Sequence, residues 1–154
     1  MVDPLRPDAG NKREKMTMSD KLATLRAFIG PAQRQALYAA MRGEEGDYFR
    51  AKVTELIAQL ESMPKSMPKV YEQDGKDDQA VVYLHYFNGS MNWYITERDT
   101  SVEQLQAFGY ANLGDDQNAE MGYISIDELI RNGVELDLYW TPVTLEQVKL
   151  KQAA

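Results

Sequence analysis

The sequence predicts an α+β protein: an N-terminal helical segment followed by an antiparallel β-sheet domain with one or two short helices. Three observations lead there. Apolar residues recur at helical spacing as far as Ser62, β-branched and aromatic residues crowd the chain from Val81 onward, and Asn88-Gly89 and Asn132-Gly133 punctuate that second part.

Residues 1–18 are polar, contain Pro4, Pro7 and Gly10, and show no periodicity, so a disordered leader is expected. Met16 and Met18 precede Ser19-Asp20, where a helix can start. Residues 19–62 form the helical segment. Leu22, Leu25, Phe28 and Ile29 give a short apolar face, and Gly30-Pro31 breaks the chain, with Pro31 suited to the first turn of a second helix. That helix carries Leu37, Ala40 and Met41 and should stop at Gly43. A third places Tyr48, Phe49, Val53, Leu56, Ile57 and Leu60 on one stripe. Residues 63–79 read as a linker, because Ser62-Met63-Pro64-Lys65 is repeated at once as Ser66-Met67-Pro68-Lys69 and an acidic loop, 72–78, follows.

Residues 80–154 form the sheet domain. Strands are expected over 81–87, 91–96, 105–113 and 121–124, the first two joined by a hairpin at Asn88-Gly89, where both residues tolerate positive φ. Ser125 and Glu128 have capping-box spacing for a short helix, 134–140 reads as a last strand ended by Pro142, and Thr144 can cap a C-terminal helix.

The 154 residues suffice for a core without staples. Cysteine is absent, which excludes disulfides, thiolate zinc sites and cysteine nucleophiles and fits a cytoplasmic protein. No stretch approaches the roughly 20 apolar residues that span a bilayer. The net charge of -7 is unevenly spread: residues 1–69 carry +3 and residues 70–154 carry -10. The acidic part repels phosphate and attracts basic partners, which argues against direct nucleic-acid binding. A weaker nucleic-acid contact through Arg34, Arg42, Arg50 and Lys52 of the helical segment is the alternative on charge alone.

Catalytic signals are thin. His85 is the one histidine and sits in a predicted strand without a motif that supplies a nucleophile. A small carboxylate- or metal-dependent enzyme would have to draw on Glu97, Asp99 and Glu120 near His85, and neither the acids at 74–78 nor those at 115–116 match a calcium loop. No catalytic residue, metal ligand or cofactor is therefore assigned. Aromatics are the most distinctive chemistry: adjacent strand residues face opposite ways, so Trp93-Tyr94 and Tyr139-Trp140 cannot both enter one core. Trp93, Tyr94 and Trp140 are the expected anchors of a binding surface, with Asp74, Asp77, Asp78, Asp115 and Asp116 supplying attraction.

Trp93-Tyr94-Ile95-Thr96-Glu97, Phe108-Gly109, Glu120-Met121-Gly122-Tyr123-Ile124-Ser125 and Asp137-Leu138-Tyr139-Trp140-Thr141-Pro142, in this order, resemble an uncharacterised domain-of-unknown-function family common on bacterial plasmids, phages and integrative elements. The resemblance covers roughly residues 70–148 and carries no residue-level activity. It implies accessory work for mobile DNA, such as countering host defence. The expected function is accordingly a non-catalytic binding protein whose acidic, aromatic sheet domain engages a protein partner, for example a basic nucleic-acid-binding one.

Overall fold

The computed structural model describes residues 16–65, 77–99 and 106–153. Helix α1 (Met18–Leu25) starts earlier than Ser19-Asp20 suggests. Thr17 is its N-cap, accepting from the Asp20 N–H at 3.1 Å while the Asp20 carboxylate accepts from the Thr17 N–H, a reciprocal capping box. Helix α2 (Pro31–Arg42) runs between Gly30 and Gly43 as expected, with Pro31 in its first turn. Helix α3 (Gly46–Ser62) buries Val53, Leu56, Ile57 and Leu60, but Tyr48, on the same sequence stripe, is exposed and Phe49 only half-buried. The stripe is wider than the surface available to cover it.

The predicted run 81–87 divides into two strands. β1 (Val81–Val82) pairs with β7 (Val143–Thr144) in a small separate sheet, and β2 (Leu84–Asn88) joins the main one. The main sheet is antiparallel, in the order β5-β4-β3-β2-β6, with β3 (Met91–Arg98), β4 (Gln106–Asn112), β5 (Glu120–Ser125) and β6 (Glu135–Leu136). The β2–β3 hairpin turns one residue later than Asn88-Gly89: Asn88 pairs with Met91, and Gly89 at φ 58 and Ser90 form the loop. The expected strand 134–140 shortens to β6. The Asp137 Oδ1 accepts from the Tyr139 N–H at 2.9 Å, and this side-chain turn takes the backbone out of the ladder.

Helix α4 (Ile126–Arg131) is capped by Ser125, whose Oγ accepts from the Glu128 N–H, and Gly133 at φ 75 ends it in a left-handed residue. Helix α5 (Leu145–Ala153) follows Thr144, which exchanges hydrogen bonds with Gln147 at its N-terminus.

Alternation along the strands sends side chains to two different cores. Leu84, Tyr86, Ile95, Ala107, Ile124 and Leu136 face a large cluster that also contains Leu25, Phe28, Ile29, Leu37, Val53, Leu56 and Leu60 from the helical segment. The opposite face puts Tyr94 and Tyr110 into a smaller cluster with Val82 and with Leu145 and Val148 of α5. Two polar ties join the first layer. The Tyr86 hydroxyl donates to the Phe28 carbonyl at 2.6 Å, and Gln33 of α2 forms two hydrogen bonds with the Leu136 backbone, covering the outer edge of β6.

Glu97 is a buried acid beside the irregular pairing between Ile95 and Glu97. The Thr96 Oγ1 lies 2.7 Å from Glu97 Oε2 and 3.1 Å from the Phe108 carbonyl. Burial pushes the Glu97 carboxyl above its ordinary value of 4.5, against the Thr96 hydrogen bond. The unfolded chain therefore deprotonates first, and folding stability falls as pH rises from 4.5 towards the higher folded value, then stays low. Glu97→Gln, which keeps the shape and donates to Thr96 as the protonated acid would, is expected to raise the melting temperature at pH 7. The gain should vanish below the ordinary carboxylate range. Thermal melts at both pH values check this, and a loss of stability at both would contradict it.

Candidate functional site

The face that carries the smaller core is built from aromatic rows. His85 of β2 sits directly opposite Tyr94 of β3, which sits opposite Tyr110 of β4, so period-two alternation delivers all three to one side. The His85 ring stacks on Tyr94 with centroids 4.8 Å apart and an interplanar angle of 9°. Trp140 closes over them, 5.0 Å from His85 and 5.8 Å from Tyr94, held by its indole N–H donating to the Val82 carbonyl at 2.9 Å.

His85 is fixed at both nitrogens. Nδ1 lies 3.0 Å from Asp137 Oδ2 and Nε2 2.8 Å from Asn92 Oδ1, and the Asn92 amide donates its own N–H to the Ser90 carbonyl. A ring protonated at both nitrogens satisfies both oxygens, whereas a neutral ring serves one. The arrangement orients Asp137 and the turn after it. A base that works on a substrate needs a nitrogen aimed at the reacting proton, and here Nε2 is aimed at Asn92.

Beside the aromatic rows and under α5 lies a cleft of about 760 Å³, lined by Tyr94, Asp137, Tyr139, Trp140, Leu150 and Lys151 among others. Its volume lies within the range of ligand-binding clefts. The acids converge on the phenol ends. Burial pushes the Tyr94 phenol up, and Tyr110, Asp116 and Asp137 push it further; burial likewise raises Tyr110, opposed by Lys149 and helped by Asp116 and Asp78. Lys149 pairs with Asp78 at 2.7 Å and lies 5.2 Å from the Tyr110 ring centroid.

Four of the residues singled out from the sequence, Tyr94, Trp140, Asp78 and Asp116, therefore share this face. Trp93 points to the other side and packs against the large core. Asp115 caps the short 3-10 turn Asp116–Asn118, accepting from the Gln117 N–H and the Asn118 amide. Asp77 begins the turn Asp77–Gln79, and Asp74 lies outside the described residues. The carboxylates weighed for catalysis do not gather at His85. Glu97 stands two rungs along the ladder from the Tyr94–Tyr110 pair, and Glu120, opposite Ala111 and thus in the row of Trp93 and Tyr86, belongs to the other face. Asp99 lies beyond the end of β3, its N–H donating to the Gln106 carbonyl at 2.8 Å. Among the described residues no group of three or more His, Asp or Glu side chains is placed to hold a metal ion, and no helix is long and apolar enough to cross a membrane.

Asp137, Tyr139 and His85 are the site residues the sequence did not single out for binding. The signal that could have found Asp137 is its place two residues before Tyr139, the spacing of a side-chain turn. A family model described as "Protein of unknown function (DUF2958)" matches residues 53–144, from within α3 to the end of β7, further upstream than the resemblance over 70–148. No curated protein and no solved structure matches the chain.

Proposed function

Because the chain belongs to the DUF2958 family, whose description assigns no activity, we propose a function from the site: this protein is a non-catalytic binding module that receives a segment of a basic partner protein in the cleft between the sheet and α5. The observation that carries the reading is the convergence of Tyr94, Tyr139 and Trp140 with Asp137 around a cleft of about 760 Å³, with Asp116 close enough to act on the Tyr94 phenol. Rings beside a carboxylate suit a cationic side chain, which gains from the ring faces and from Asp137, against the single lining cation Lys151. Both nitrogens of His85 are engaged within the protein, which favours orientation over acid–base work. The family resemblance adds a contextual expectation, accessory work for a mobile element such as counter-defence, and the acidity of residues 70–154 adds a basic nucleic-acid-binding protein as an example of the partner.

The test uses the full chain to capture partners from host lysate under rising salt, beside two variants at exposed cleft residues, Leu150→Arg and Tyr139→Ala. A basic protein should be retained at low salt, released at moderate salt, and bound at least roughly tenfold more weakly by either variant. Partners held equally by all three proteins, or nothing above background, would overturn the assignment of this cleft.

A further inference from the structure

A second aromatic concavity adjoins the first. It has a volume of about 510 Å³ and is lined by Glu44, Glu45, Asp47, Tyr48, Phe49 and Tyr139. Tyr139 therefore borders both cavities. Tyr48 and Tyr139 leave 47% and 63% of their surface exposed. They come from distant parts of the chain, the first turn of α3 and the turn after β6. The elements are locked together nearby, where Gln59 of α3 donates to the Trp140 carbonyl at 3.1 Å.

The Lys52 ammonium lies 5.8 Å from the Tyr48 ring centroid and 5.6 Å from that of Tyr139, within cation–π range of both. Lys52 is also hydrogen-bonded to Glu55 at 3.1 Å, one helical turn on, so it keeps a partner when it leaves the rings. Of the three acids at the rim, Asp47 is paired with Arg50, while Glu44 and Glu45 are exposed. A guanidinium suits such a place better than an ammonium, because its plane stacks on a ring while its N–H groups reach carboxylates.

We propose that the two cavities are subsites of one groove for an extended, arginine-bearing peptide segment, with one cationic side chain beside Asp137 and Trp140 and a second between Tyr48 and Tyr139, beside Glu44 and Glu45. This rests on the binding role proposed for the α5 cleft and adds the ligand's chemistry and its two-point attachment. Once the first side chain is bound, the second is delivered at a high effective concentration, so the two contacts multiply in affinity.

The probes are fluorescein-labelled Gly-Ser peptides with one arginine, or with two arginines at a series of spacings, read by fluorescence anisotropy against the full chain. At the best spacing the two-arginine peptide should bind at least tenfold more tightly than the one-arginine peptide. Tyr48→Ala, and separately the double variant Glu44→Gln with Glu45→Gln, should abolish that gain while the one-arginine peptide still binds at the cleft. Lys52→Gln should increase the gain, since it removes a competing cation from beside both rings. All these positions are exposed or lie on the helix surface, and circular dichroism melts confirm that each variant is folded. Equal affinity for the two peptides at every spacing, or a gain indifferent to Tyr48 and to Glu44 and Glu45, would overturn the second subsite. The cleft reading fails separately: it falls if the one-arginine peptide does not bind the Tyr48→Ala variant, which keeps only the cleft, or if that binding survives the addition of Leu150→Arg.

Discussion

Gly109→Ala is expected to destabilise the protein by about 3 kcal/mol or more, at the upper end of what overpacking costs. A Cβ built on Gly109 would lie 1.9 Å from the Tyr94 carbonyl oxygen, 2.9 Å from its carbon and 3.0 Å from Ile95 Cα. These are backbone atoms of the neighbouring strand, held in the β3–β4 ladder next to its irregular step, and they cannot move aside as a flexible side chain would. Gly122 is a matched control, since it pairs directly with Gly109 on the next strand and a Cβ there meets nothing within 4 Å. Gly122→Ala should be neutral or stabilising by about 0.5 kcal/mol, as alanine restricts the unfolded chain. Urea denaturation of the two variants decides the matter, and equal effects would show that close approach at Gly109 is not what glycine serves. The position also bears on function, because the oxygen that would be displaced belongs to Tyr94, the ring on which His85 stacks.

Tyr86→Phe is the second large expectation, a loss of about 2 kcal/mol for the removal of one oxygen. Tyr86 is fully buried, burial pushes its phenol far above the ordinary range, and its hydroxyl donates to the Phe28 carbonyl. Phenylalanine keeps the packing but strands that carbonyl without its donor, and an unsatisfied buried polar group costs more than an average hydrogen bond contributes. The midpoint of urea unfolding should fall with an unchanged slope. A shift below about 0.5 kcal/mol would mean that water or a rearranged backbone satisfies Phe28. The bond matters because it ties the sheet to the segment between α1 and α2.

Much of the fold is legible in the residues. Gly30-Pro31 and Gly43 bound α2, Thr144 starts α5, and β-branched and aromatic runs mark β3, β4 and β5, because these signals act through local backbone sterics and capping. Local signals also erred locally. Asn88-Gly89 marks the hairpin, but the register across β2 and β3 puts Asn88 in the strand; Val134 to Trp140 has strand composition, but the Asp137 side chain turns the chain after Leu136.

The candidate site was legible only in part. Alternation separates Trp93 from Tyr94 once the strand is recognised. Which acids meet which rings is another matter. Asp78, Asp116 and Asp137 act on Tyr94 and Tyr110 from three different loops, and Tyr48 and Tyr139, 91 positions apart in sequence, line one concavity. By itself the sequence determined the fold class, the charge and the aromatic character of this protein, since each depends on composition and on neighbours within a few residues. Only the tertiary structure decided where the two cavities lie and which residues line them, because those contacts exist solely through the strand register and the docking of α3 and α5 on opposite faces of one sheet.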